Sequence, residues 1–228
     1  MPAPRLAAPL LVAALAAAPA AADPVVVELF TSQGCSTCPP ADAMLGKLAA
    51  RQDVIALSLH VDYWDWIGWE DTFGDPAHSA RQRGYSAAAG SSVVYTPQFV
   101  VGGRTFVAGA DGMAVADAVL LEAGRTGDVL GVDGAGRLTL AETGRPARLA
   151  VALVQAEAAV AITQGENAGR AATYHNVVRG WRDLGPWDGR AAVIDVPPAP
   201  EGLARVALAQ EVDADGRPGA ILGAARLD

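Results

Sequence analysis

The sequence predicts a chain in two parts, an α/β half over residues 23–127 and an all-β, sandwich-like half over 128–228. Two patterns carry that expectation. Residues 25–30 are a continuous apolar run broken only by Glu28, and an amphipathic stretch and a second apolar run at 54–59 follow it. Strand, helix and strand in that order favour a right-handed parallel unit buried on both faces. From residue 128 onward the helical period is lost and short strand-like runs alternate with turns, the pattern of a sandwich. Composition permits both halves: of 228 residues 51% are hydrophobic and 18% charged, enough apolar surface to bury a core.

In the first half, Ala41, Met44, Leu45, Leu48 and Ala49 fall at helical spacing within 39–51. Pro39 and Pro40 suit the first turn, whose N–H groups have no helical partner. Asp75-Pro76 caps a second helix that Gly84 weakens and Gly90 stops. A third strand spans 93–101, and Gly102-Gly103 turns the chain into 104–107 as a hairpin. Asp111 caps a third helix that ends at Gly124. In the second half the strand-like runs are 129–132, 137–140, 148–155, 158–162, 177–181, 191–196, 205–210 and 221–227.

Residues 1–22 hold a single charge, Arg5, an apolar stretch and a run of small residues, the pattern of a secretory signal peptide cleaved after Ala22. The expected localisation is therefore periplasmic or secreted, where thiols tend to oxidise. No later segment is apolar for the roughly 20 residues a spanning helix requires, so no membrane span is expected in the mature chain. Seventeen Lys and Arg against 25 Asp and Glu give a net charge of −8, and no basic cluster is present. Nucleic acid is excluded as a partner on that ground.

Chemistry concentrates at Cys35-Ser36-Thr37-Cys38, between a buried strand and a helix. Helix N-terminal N–H groups and the macrodipole stabilise a thiolate, which makes Cys35 the nucleophile. Cys38, one turn inside, resolves a mixed disulfide. A Cys-x-x-Cys in a βαβ setting reads as thioredoxin-like redox. Thr96-Pro97 is the second element, because a proline entering a strand removes a ladder donor. In thioredoxin-like folds a cis proline at that place in the chain packs beside the cysteine pair, and the element order here resembles that fold. Ser-Thr stands where thioredoxins have Gly-Pro between the cysteines, and Gly34 rather than Trp precedes Cys35.

The runs Glu28-Leu-Phe-Thr-Ser-Gln-Gly-Cys-Ser-Thr-Cys-Pro-Pro-Ala-Asp42, His60-Val-Asp-Tyr-Trp-Asp65 and Tyr95-Thr-Pro-Gln98 resemble the exported thioredoxin-like family known as domain of unknown function 1223. Gly165-Glu-Asn-Ala-Gly169 and His175-Asn-Val-Val-Arg179 resemble that family's C-terminal half. The resemblance spans the mature chain; it implies fold and export and supplies no substrate.

Each residue carries a plainer reading beside the functional one. Cys35 and Cys38 could form a structural disulfide, although so small a loop restrains the unfolded chain little. They could instead hold a thiophilic metal such as copper(I), with His60, His78 or His175 as nitrogen donors, although no zinc-finger spacing is present. Glu28 reads as a proton acceptor for Cys38, or else as an edge carboxylate or the partner of an arginine. His60, Tyr63 and Trp64, with Asp62, Asp65, Trp66 and Trp69, follow the second strand near the expected crevice. They read either as a platform for substrate or as packing against the β half, and His60 alone as a core or capping residue. His175, Asn176 and Arg179 read as turn and strand hydrogen bonding or as an anion site.

The resulting expectation is an exported thiol–disulfide oxidoreductase. Cys35 attacks, Cys38 resolves, and Thr96 with Pro97 holds a protein or small-molecule substrate. The cysteine pair itself carries the electrons, so no organic cofactor and no metal are needed. A copper-binding protein and a non-catalytic interaction module are the alternatives.

Overall fold

The computed structural model describes residues 24–125 and 127–228. The expected signal peptide at 1–22 lies outside these residues. The chain begins with β1 (Val25–Thr31), buried along its whole length. Val25, Val27 and Leu29 pack on one face with α1 (Pro39–Ala49) and α3 (Gly112–Ala123). Val26 and Phe30 pack on the other face with Tyr85 of α2 (Pro76–Ala88). Each Leu or Phe buried in this way contributes on the order of 1.5–3 kcal/mol relative to exposure. β2 (Val54–His60) runs parallel to β1, in register from Val25 opposite Val54 to Thr31 opposite His60.

Local signals act where the sequence puts them. Asp75 caps α2 by accepting from Ala77 N–H, and Asp111 caps α3 by accepting from the N–H groups of Met113 and Ala114. β3 (Gln98–Val101) and β4 (Thr105–Ala108) form the expected hairpin, with Gly102 and Gly103 at φ of 59° and 73°. The third strand is shorter than expected. It starts only at Gln98, because Pro97 has no N–H to give the ladder. Gly84 lets α2 approach β11 (Pro218–Arg226) closely: a Cβ there would sit 2.7 Å from Pro218 Cδ.

The expected thioredoxin-like α/β domain followed by a separate β-sandwich is overturned. With β7 (Ala147–Ala161), β8 (Ala171–Trp187) and β10 (Ala204–Val212), one mixed sheet of eight strands spans both halves of the sequence, in the order β11-β10-β7-β8-β2-β1-β3-β4. The runs at 148–155 and 158–162 are one strand of 15 residues, β7, paired antiparallel with the 17-residue β8. β10 and β11 complete the far side. Among the described residues only a small three-stranded sheet stands apart, formed by β5 (Leu130–Val132), β6 (Leu138–Leu140) and β9 (Ala192–Ile194).

The join is β8 against β2, where Ser58 lies opposite Val177. Beside it Asn176 takes a left-handed conformation, φ 51°, and donates through Nδ2 to the Ala56 carbonyl at 3.0 Å. Asn tolerates that conformation better than most residues. Its amide hydrogen bond extends the contact between the two halves. Alternating apolar residues say that a strand is half-buried, not which strand it pairs with. That is why the same pattern reads equally well as a sandwich.

Candidate functional site

Cys35 and Cys38 form a disulfide in the turn that leads from β1 into α1. Cys38 is the N-cap residue of α1, and the prolines follow it. Cys35 is 2% exposed and Cys38 fully covered, so Cys35 is the less covered of the two residues. Thr37 Oγ1 lies 3.5 Å from Cys35 Sγ.

The turn is held from three sides. Asp71 accepts from Gln33 N–H at 2.7 Å. The Gln33 amide oxygen accepts from Trp69 Nε1 at 2.8 Å, and its nitrogen donates to Thr72 Oγ1 at 2.9 Å. Asn167, from the loop between β7 and β8, donates to the carbonyls of Gln33 and Cys35, both at 2.9 Å. The C-terminal half thus supplies part of the scaffold of the cysteine turn.

Beneath the pair, on the α1 face of the sheet, lies a buried polar cluster. Asp42 is one helical turn beyond Cys38, its N–H bonded to the Cys38 carbonyl at 3.1 Å, so the two side chains share a helix face. Thr31 Oγ1 donates to the Asp42 carboxylate at 2.7 Å. Burial pushes the Asp42 carboxyl up to about 6; the His60 charge and the Thr31 hydroxyl pull against it, and Asp71 adds to it. His60 Nδ1 pairs with Asp71 at 2.8 Å inside the protein, and the ring packs edge-on to Phe73 and Tyr174. His60 Nε2 is buried without a partner among the described residues. For Asp71, burial acts upward, but the His60 charge and hydrogen bonds from His60, Gln33 and Phe73 outweigh it and hold the carboxyl below its ordinary value.

Not every residue singled out from the sequence comes to this site. Glu28 is wholly buried on the opposite face, where Arg81 Nε and Tyr85 Oη each donate to it at 2.5 Å. Its partner is an arginine, and the structure does not bring it to Cys38. The Thr96–Pro97 peptide is cis. Thr96 accepts from Trp64 Nε1 at 2.7 Å, and the Trp64 Cβ lies beside Gly34, so Trp64 stands between Thr96 and the cysteine turn. Tyr63 packs with Trp64 against the core and donates to Gln82 at 3.0 Å. Trp66 projects from the short 3-10 turn Asp65–Ile67 and is 81% exposed. Arg179 stacks over Phe73 at 4.7 Å.

A family model described as "Protein of unknown function (DUF1223)" matches residues 26–210. The chain belongs to this family. The crystal structure of protein AGR_C_4864 from Agrobacterium tumefaciens is similar, with 33% identity and a TM-score of 0.79, over 91% of this chain and 95% of that one. HBP35 of Porphyromonas gingivalis is similar in fold alone, at 15% identity and a TM-score of 0.59, over 90% of this chain and 74% of that one. No match is found among curated proteins.

Asp42, Asp71, Gln33 and Asn167 are functional candidates that the sequence reading did not single out. Asp42 had a signal: it is an acid four residues after Cys38, on the face of the helix that carries Ala41 and Leu45. Asp71 and Asn167 lie 38 and 134 residues from Gln33 along the chain, and no spacing rule connects them. Among the described residues, no helix is long and apolar enough to cross a membrane.

Proposed function

We propose that the protein is an exported thiol–disulfide oxidoreductase whose Cys35–Cys38 pair carries two electrons. The observation that carries this reading is a Cys-x-x-Cys disulfide at a helix N-terminus, with a buried carboxyl of raised pKa one turn below the inner cysteine. In the reduced form the Cys35 thiolate attacks a substrate disulfide, forms a mixed disulfide and expels one substrate thiolate, which takes up a proton. Asp42 accepts the Cys38 proton, and the Cys38 thiolate attacks Cys35 Sγ. The Cys35–Cys38 disulfide forms, and the second substrate thiolate leaves and is protonated from Asp42. Two electrons and two protons pass to the substrate; oxidation of a dithiol runs the same steps in reverse.

The assignment of roles follows position: Cys35, ahead of the helix and the less covered residue, attacks, and Cys38 at the N-cap resolves. Thr96 and Pro97, linked to the turn through Trp64, flank the substrate, and Tyr63 and Trp64 form its apolar border. Asp42 takes the proton role considered for Glu28, because Glu28 is already held by Arg81 and Tyr85 on the far face. His60 and Asp71 position the turn and Asp42 from below. Export accords with a pair in the disulfide state and with the leader-like residues 1–22.

The test is the redox state of the pair across a glutathione series, read by alkylation mass shift. A reversible two-thiol transition is expected. Cys35→Ser is expected to abolish turnover and Cys38→Ser to trap mixed disulfides. A pair that never reduces reversibly, or full activity in Cys35→Ser, overturns the proposal.

A further inference from the structure

Beside the cysteine turn, between α1 and the start of β8, lies a cavity of about 430 Å³, a size typical of small-molecule sites. Its wall includes Pro39, Asp42, Asn167, Arg170 and Tyr174. Two of these carry groups without a partner among the described residues, Asn167 and Arg170. Asn167 is 2% exposed, and both bonds to the cysteine turn are made by its nitrogen. Its Oδ1 is buried with no partner among the described residues. A buried acceptor without a donor costs about 1–3 kcal/mol, so it marks a place where a donor from outside is favoured. Asp42 adds a carboxyl to the same wall. Arg170 is exposed at the rim, and its guanidinium has no hydrogen bond or ion pair among the described residues.

Acceptors inside and a cation at the rim complement a ligand with an ammonium and a carboxylate on neighbouring atoms. An α-amino acid has that arrangement. Two lining residues tie the cavity to the cysteine turn: Asn167 holds the Cys35 carbonyl, and Pro39 follows Cys38. We propose that this cavity binds the α-amino-acid end of a cysteine-derived small thiol or disulfide. The ammonium bonds to Asn167 Oδ1 and Asp42, the carboxylate to Arg170, and the ligand's sulfur faces the cysteine pair. The binding mode stands on the cavity; its use in exchange rests on the redox reading above.

The first experiment uses S-methylcysteine, whose capped sulfur cannot exchange, titrated calorimetrically against the oxidised full mature chain. One site per chain is expected. N-acetyl-S-methylcysteine and the methyl ester of S-methylcysteine, each lacking one charge, are expected to bind about tenfold more weakly or worse. Arg170→Ala is expected to lose about tenfold and Arg170→Lys to recover part of it. Arg170 is a surface residue, so both variants are expected to fold. No binding of S-methylcysteine, or equal binding by wild type and Arg170→Ala, overturns the cavity proposal. The second experiment compares exchange with cystine and with neutral hydroxyethyl disulfide. Arg170→Ala is expected to slow the cystine reaction about tenfold and to leave the hydroxyethyl disulfide reaction unchanged. Equal slowing of both overturns the proposal. A wild-type pair that exchanges with neither disulfide defeats the redox reading, while the calorimetric result still judges the cavity.

Discussion

Two buried carboxyls lie on opposite faces of the same sheet and have been solved differently by the fold. Glu28 accepts from Arg81 and Tyr85, and Gln210 completes the network by donating to Tyr85 Oη and accepting from Arg81. Trp181 covers the Arg81 guanidinium at 4.9 Å. Its charge is answered by a charge, and its lone pairs by donors. Among the described residues Thr31 is the side-chain donor to Asp42, and the basic group that acts on it, His60, is already paired with Asp71. Burial therefore dominates and its carboxyl rises to about 6. A fully answered buried carboxyl stabilises one arrangement of helix and strand; a partly answered one keeps a proton poised near neutral pH. Proximity to the cysteine pair belongs to the second kind.

The largest expected effect is on the first cluster. Glu28→Ala leaves the Arg81 charge among buried neighbours without its partner, which costs about 3–5 kcal/mol. Urea denaturation measures it, and Glu28→Gln, which keeps the shape, serves if the alanine variant does not fold. Disulfide exchange by the folded variant is expected to stay within about twofold of wild type. A tenfold slower exchange in folded Glu28→Gln would break the division of roles between the faces.

The second cluster is expected to answer in the opposite way. Asp42→Asn should slow exchange by about 10²-fold, the scale of a lost general acid–base group. The wild-type to variant rate ratio should rise as pH passes through about 6, where the Asp42 carboxyl ionises, and then level off. The stability effect has a definite sign. The folded-state value lies above the ordinary 3.8, so the folded chain binds the proton more tightly, and wild-type stability falls between about pH 4 and pH 6. Asp42→Asn lacks that slope, so its stability relative to wild type should improve by about 3 kcal/mol across the window. Denaturation of both proteins at pH 4 and pH 7 checks it; a difference independent of pH would remove Asp42 from the titrating role.

How far the site is legible in the sequence follows from the same two clusters. Cys35 and Cys38, the caps Asp75 and Asp111, and the Gly102-Gly103 turn act through bonds a few residues long, and spacing alone reveals them. Glu28 is visible as an acid in a buried strand, but its partner Arg81 is 53 residues away. The sequence therefore poses the question of its charge without answering it. The C-terminal half reads as a separate sandwich for a related reason. Residues 177–181 read as a strand, yet the partners of β8, β2 and β7, come from separate parts of the chain. Asn167 is the extreme case, a loop amide that meets Cys35 from 132 residues away.

An intermediate effect is expected at that bridge. Asn167→Ala removes two hydrogen bonds and leaves the Gln33 and Cys35 carbonyls without those donors. A loss of about 1–3 kcal/mol is expected. Because one bond lies on the cysteine turn itself, the glutathione midpoint of the pair should move as well. A purely structural contact would lower the denaturation midpoint and leave the redox midpoint where it is.

The smallest effect isolates a single donor. Thr31→Val keeps the shape of the side chain and deletes the hydroxyl that bonds to Asp42 at 2.7 Å. That hydroxyl pulls the Asp42 carboxyl downward, so its loss sends the carboxyl further up. The pH at which exchange reaches half its plateau should rise, while stability changes by about 1 kcal/mol. Glu28 sits on the other face with donors of its own, so the same substitution leaves its cluster untouched. A half-plateau pH that stays fixed or falls would mean that burial and His60 alone set the Asp42 proton, and that the number of donors does not separate the two faces.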